Sequence, residues 1–148
     1  MAELSDFVNI FFFSHCVMGS PVQIGDVLLL TQIAFKVHQG FKSAPEELKT
    51  LSTQVFHIHS LLQQIKESFE KINLDKYEER NLWELISRCK DILKDVRGII
   101  KYYHSIRSEN GKRKRLKWLL ESGRIHQVKQ DLMDQVHLLT SFNTAIAV

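Results

Sequence analysis

Two prolines and six glycines in 148 residues are too few for a turn-rich β-sandwich and favour long helices. Two cysteines, Cys16 and Cys89, cannot make a disulfide scaffold. They form no C-x-x-C pair, so neither redox nor zinc chemistry is suggested. No Asn-x-Ser/Thr acceptor occurs. A reducing, cytoplasmic setting is expected. The phosphate-cradling G-x-x-x-x-G-K-[ST] and G-x-G-x-x-G patterns are missing, as is the G-x-S-x-G nucleophile elbow. Seven histidines (His15, His38, His57, His59, His104, His126, His137) include no H-E-x-x-H and no i, i+4 pair, the spacing that puts two zinc ligands on one helix face. These absences point away from an enzyme, a cofactor and a metal.

What is present suits one folded domain. Hydrophobic residues make up 44% and charged residues 25%, enough apolar material for a core without metal or disulfide staples. The net charge of +3 is modest, but it is unevenly spread. Residues 111–130 hold seven basic side chains (Lys112, Arg113, Lys114, Arg115, Lys117, Arg124, Lys129) against the single acid Glu121. The rest of the chain is therefore net acidic. A local anionic partner fits this asymmetry better than general nucleic-acid binding.

The first 24 residues stand apart as a leader. Phe7, Val8, Ile10, Phe11, Phe12 and Phe13 give six large apolar residues in seven positions, followed by Val17-Met18. Glu3 and Asp6 occupy the place where a signal peptide carries positive charge. As a helix, Phe7–Met18 is about 18 Å long against a hydrocarbon core of about 30 Å, so it cannot span a bilayer alone. It either packs on the domain or inserts shallowly in lipid.

Residues 25–148 read as a helical bundle. The first helix opens at Asp26 as N-cap and carries Leu30, Ile33, Ala34, Val37 and Phe41 at helical spacing, ending near Gly40. The second opens on a Ser43–Glu46 capping box. Its seam Leu48, Leu51, Val55, Ile58, Leu62, Ile65, Phe69 steps by three and four where a strand would step by two. It is expected to run to Ile72, about 40 Å. Residues 73–80 read as a loop, and Asn81 as the cap of a third helix with seam Leu82, Leu85, Cys89, Ile92, Val96, Ile99, Tyr103. Cys89 on that stripe is a core residue. Gly98 interrupts the helix, as a close helix crossing would require. Lys112–Leu120 reads as a short basic helix closed by Ser122-Gly123, before a last helix with Ile125, Val128, Leu132, Val136, Leu139, Phe142 and Ile146 on one side. The fold expected is all-α: an up-and-down bundle of four main helices with a basic helical insert and an apolar N-terminal segment.

Lys112-Arg113-Lys114-Arg115 with Lys117 admits three uses: a solvated helix start, contact with anionic lipid, or nuclear import and nucleic-acid contact. Five positive charges at a helix N-terminus oppose the macrodipole, each at a cost of tenths of a kcal/mol.

Gly25-Asp26-Val27-Leu28-Leu29-Leu30, Ala34-Phe35-Lys36-Val37 and Gly40-Phe41-Lys42-Ser43-Ala44-Pro45-Glu46-Glu47-Leu48 resemble the opening of the N-terminal domain of fungal STAND (NLR-like) proteins, the HeLo-like family. Leu51-Ser52, Val55, Leu61-Leu62, Cys89, Leu93-Lys94-Asp95, Lys101-Tyr102, Trp118 and Leu138–Thr144 fit the same pattern, so the resemblance covers about residues 24–146. It implies a non-enzymatic, self-associating signalling or effector bundle, working with a nucleotide-binding repeat receptor in cis or in trans. Its expected action is at the plasma membrane, in regulated cell death or heterokaryon incompatibility. A scaffold without membrane activity, or a nuclear protein using 112–117, are the alternatives.

Overall fold

A computed structural model describes residues 23–42, 44, 46–106 and 111–147. Four α-helices follow in order: α1 (Ile24–Gln39), α2 (Lys49–Phe69) preceded by a 3-10 turn (Glu46–Leu48), α3 (Lys76–Ile106) and α4 (Gly111–Ile146). They pack together with no strand among the described residues, and the all-α bundle is the observed architecture. The leader candidates Phe7, Val8, Ile10, Phe11, Phe12 and Phe13, with Cys16, lie outside the described residues.

The apolar seams build the core. Val27, Leu30, Ile33, Ala34 and Val37 of α1 meet Leu51, Val55, Ile58, Leu62 and Ile65 of α2, with Leu48 beside them. Leu82, Leu85, Ile86, Cys89, Leu93, Val96 and Ile99 of α3 close on Ile125, Val128, Leu132, Leu139 and Phe142 of α4 in the same cluster. Ring pairs Phe35–His59 (5.4 Å between centroids) and His38–Phe56 (5.2 Å) set α1 antiparallel to α2. The Tyr102 hydroxyl donates to the Lys117 carbonyl (3.1 Å), and Gln135 reaches Leu85 (2.8 Å), which sets α3 antiparallel to α4.

Several element boundaries differ from the sequence reading, each for a local reason. α1 is capped three residues early, at Gln23, and Asp26 serves from inside the helix: its carboxylate accepts from the Gln23 backbone N–H at 2.9 Å. The second helix is shorter than expected. Glu46–Leu48 forms a 3-10 turn, common at helix starts, and Ser43 lies outside the described residues. At its far end the helix stops at Phe69, and the chain turns so that Ile72 and Leu74 tuck onto the core. The third helix starts at Lys76, not after Asn81. Asp75 and Glu78 form the capping box, with Glu78 N–H donating to Asp75 (2.8 Å) and Asp75 N–H to Glu78 (3.3 Å). Acidic residues in the expected loop were thus a helix start. Ile92 is only half-buried; Ile86, Leu93 and Ile100 are buried on α3 as well, because the buried face centres between the Leu82–Cys89–Val96 and Ile86–Leu93–Ile100 rows and leaves Ile92 at its margin. The basic insert is not separate either: α4 runs unbroken through Ser122-Gly123. Glycine inside a helix costs only about 1 kcal/mol, which packing along the remaining turns offsets.

Gly98 faces α4, but what approaches it there is a side-chain tip and not the helix backbone. A Cβ there would come 2.7 Å from the Arg124 Nη2 of α4. That obstacle is the tip of a flexible, half-exposed side chain which also pairs with Glu121 (3.6 Å). Gly98→Ala is therefore expected to raise stability by up to about 1 kcal/mol as Arg124 swings aside; a denaturant midpoint that falls would show Arg124 to be held in place.

Candidate functional site

The basic candidates Lys112, Arg113, Lys114, Arg115 and Lys117 occupy the first turns of α4. Successive helix positions step by about 100°, so four in a row and Lys117 belong to no single face. Arg113 is exposed and Lys117 half-buried. The buried described side chains of α4 run from Ile125 to Ile146, so among the described residues the basic turns precede the buried ones. They lie along the last turns of α3, tied by the Tyr102–Lys117 hydrogen bond. The end of α1 sits at the same end of the bundle, since Gly40 lies against Ile100 of α3. Exposed Lys42 and Lys101 add positive charge there.

Negative charge collects elsewhere. Asp91 and Asp95 of α3 and Asp131 and Asp134 of α4 line a 330 Å³ groove with Arg88. Basic residues thus gather at the end where α4 starts, and four aspartates gather in one groove between α3 and α4. Among the described residues, no group of three or more His, Cys, Asp or Glu is placed to hold a metal. No helix among them is long and apolar enough to cross a membrane.

Cys89 is fully buried, and burial pushes its thiol up to about 12 despite an opposing hydrogen bond from Gln135. The Gln135 amide donates to the Leu85 carbonyl (2.8 Å) and to Cys89 Sγ (3.0 Å). A thiol so held is a packing residue, not a nucleophile. The sequence pattern missed Gln135, because a lone glutamine among polar neighbours carries no signal that it faces the core.

A second surface also escaped the sequence reading. α1 and α2 leave an open groove of 560 Å³ along their exposed side, lined by Leu28, Gln32, Phe35, His59, Gln63 and Lys66. Leu28, Phe35 and the neighbouring Phe56 are 39%, 45% and 48% exposed, far more than the core residues beside them. His38 and His59 stand among these rings, with Phe56 6.3 Å from His59. His38 Nδ1 lies 3.2 Å from the Ser52 carbonyl. The Ser52 hydroxyl is 3.4 Å from the same nitrogen, which donates to the carbonyl in one tautomer and accepts from the hydroxyl in the other. The available signal was the excess of apolar residues on α1, where Leu28 and Phe35 fall off the buried stripe.

Partial burial first, and then the nearby His38, hold His59 below its ordinary value of 6.5. The folded protein thus resists protonating His59 more than the unfolded chain does. The stability this gives is complete above the unfolded value and is lost as pH falls below 6.5 toward the folded one. Denaturant midpoints should fall as pH is lowered through this window, and less so in His59→Gln. Equal slopes in the two proteins would remove His59 from the account.

Comparison with family models, curated proteins and solved structures finds no match for the chain.

Proposed function

We propose that this chain is a non-enzymatic helical effector domain that self-associates and acts on anionic membrane surfaces, in the manner of the HeLo-like domains its sequence resembles. One observation carries the reading: the basic start of α4 stands at one end of the bundle, ahead of that helix's buried described residues. Each basic residue near an anionic surface adds about 1 kcal/mol of attraction. The acidic groove of α3–α4 is repelled by the same surface, so the bundle meets lipid basic end first. This contact brings the chain to the bilayer, and the Phe-rich leader supplies apolar contact with the acyl region. Several copies are needed for damage, because about 18 Å of helix does not cross about 30 Å of hydrocarbon. A nucleotide-binding repeat receptor is the proposed partner that gathers the copies.

The experiment is dye release from vesicles. The full chain should release dye from vesicles containing phosphatidylserine, steeply with protein concentration, and leave phosphatidylcholine vesicles intact. Absence of both binding and release at every concentration would leave a scaffold domain; nuclear accumulation that depends on Lys112–Lys117 would favour the nuclear reading.

A further inference from the structure

Two long faces of the bundle differ in charge and lie on opposite sides. α1 packs on α2 and α3, and α4 packs on α2 and α3. The helices therefore stand in a ring in the order α1, α2, α4, α3, with the α1–α2 groove on one side and the α3–α4 groove on the other.

The α1–α2 side is apolar and basic. Leu28, Phe35 and Phe56 are exposed there, a patch of the kind that marks an interface. From Leu28 to Phe35 the groove runs two helical turns, about 10 Å. The charged side chains that line it, Lys36 and Lys66, are both positive, and exposed Glu67 and Glu70 stand outside its lining. Lys36 already has a contact within the chain, so the pairing below is assigned to Lys66.

The α3–α4 side is its counterpart. Asp91, Asp95, Asp131 and Asp134 line it against the single base Arg88. The Gln135–Leu85 hydrogen bond sets Asp134 level with Ile86, so the acids spread over about 13 Å between Asp134 and Asp95. Half-buried Ile92 lies between them, and Leu138, 41% exposed, lines the same groove. The two strips match in length, pair apolar with apolar, and carry opposite charge. Groove on groove, or aspartates on aspartates, would bring like charge to like.

We propose that the α1–α2 groove of one copy takes the acidic α3–α4 face of a second copy, with Lys66 among the aspartates and Phe35 against Ile92. Because the two faces lie on opposite sides, each copy keeps one face open for the next, and the contact builds a row where a symmetric pair would close. Both faces run along the sides of the bundle, so a row leaves every basic α4 start uncovered. The stacking deepens the self-association proposed above and rests on it; the two faces and their charges do not.

The test is sedimentation velocity of the full chain. The wild type should sediment faster as concentration rises, and less so in high salt, which screens the charge pairing. Phe35→Ser with Lys66→Glu spoils the groove; Asp91→Lys with Asp134→Lys, at exposed positions, spoils the acidic face. Each double variant should weaken association at least about tenfold, since like charges then meet. Mixed in equal amounts, the two should pair again and stop at dimers, because each supplies the face the other has lost; only folded chains can do this. A wild type that stays monomeric at every concentration would overturn the stacking. So would association that survives the aspartate variant, as groove-on-groove pairing would, or a mixture that stays monomeric. Rows that form as expected with no release of vesicle dye would uphold the stacking and defeat the membrane reading alone.

Discussion

Leu62→Ala should destabilise the bundle by about 2–5 kcal/mol, the range for truncating a large core side chain. Leu62 is fully buried midway along α2, the helix that packs on both α1 and α4. Removing its branched end leaves a cavity that helices held on both sides cannot easily close. For a chain of this size the loss corresponds to a fall in Tm of about 5–20 °C. Ile92→Ala provides the contrast. Ile92 sits on the sequence seam but is only half-buried on α3, so its truncation should cost about 1 kcal/mol, in proportion to the smaller apolar area removed from water. Equal losses for the two variants would mean that the seam, not the observed packing, describes the core.

That contrast shows what the residue pattern could reveal. Steps of three and four through Leu51–Ile65 found α2 and its buried face, because period alone separates helix from strand. The same seam on α3 went wrong at Ile92, since steps of three and four fix the period but not the centre of the buried face, which lies between the Cys89 and Leu93 rows. Boundaries failed where polar residues served the backbone. Asp75 and Glu78 look like loop residues until their side chains are seen bonded to each other's amides. Ser122-Gly123 looked like a helix end, yet one glycine is a weak stop when the turns that follow it are packed. The site was legible only as charge. Lys112–Lys117 stood out in the sequence, but its place at one end of the bundle depends on how α1, α3 and α4 align. The α1–α2 groove was not legible at all, because whether Phe35 and Phe56 are covered is a question about neighbouring helices.

Replacing Lys112, Arg113, Lys114 and Arg115 together by glutamine is the most direct test of the account. Four charges at about 1 kcal/mol each amount to about 4 kcal/mol of membrane attraction, or roughly a thousandfold in partitioning. The folded bundle should survive, because the change removes positive charge from a helix N-terminus, where it opposes the macrodipole. Wild-type attraction should also weaken with salt, whose screening length is about 8 Å at physiological strength. The measurement is flotation of the full chain with phosphatidylserine-containing vesicles, for wild type and variant across a salt series. The account predicts tight, salt-sensitive binding for the wild type and loss of nearly all of it in the variant. Binding unchanged by both the four substitutions and the salt would contradict it.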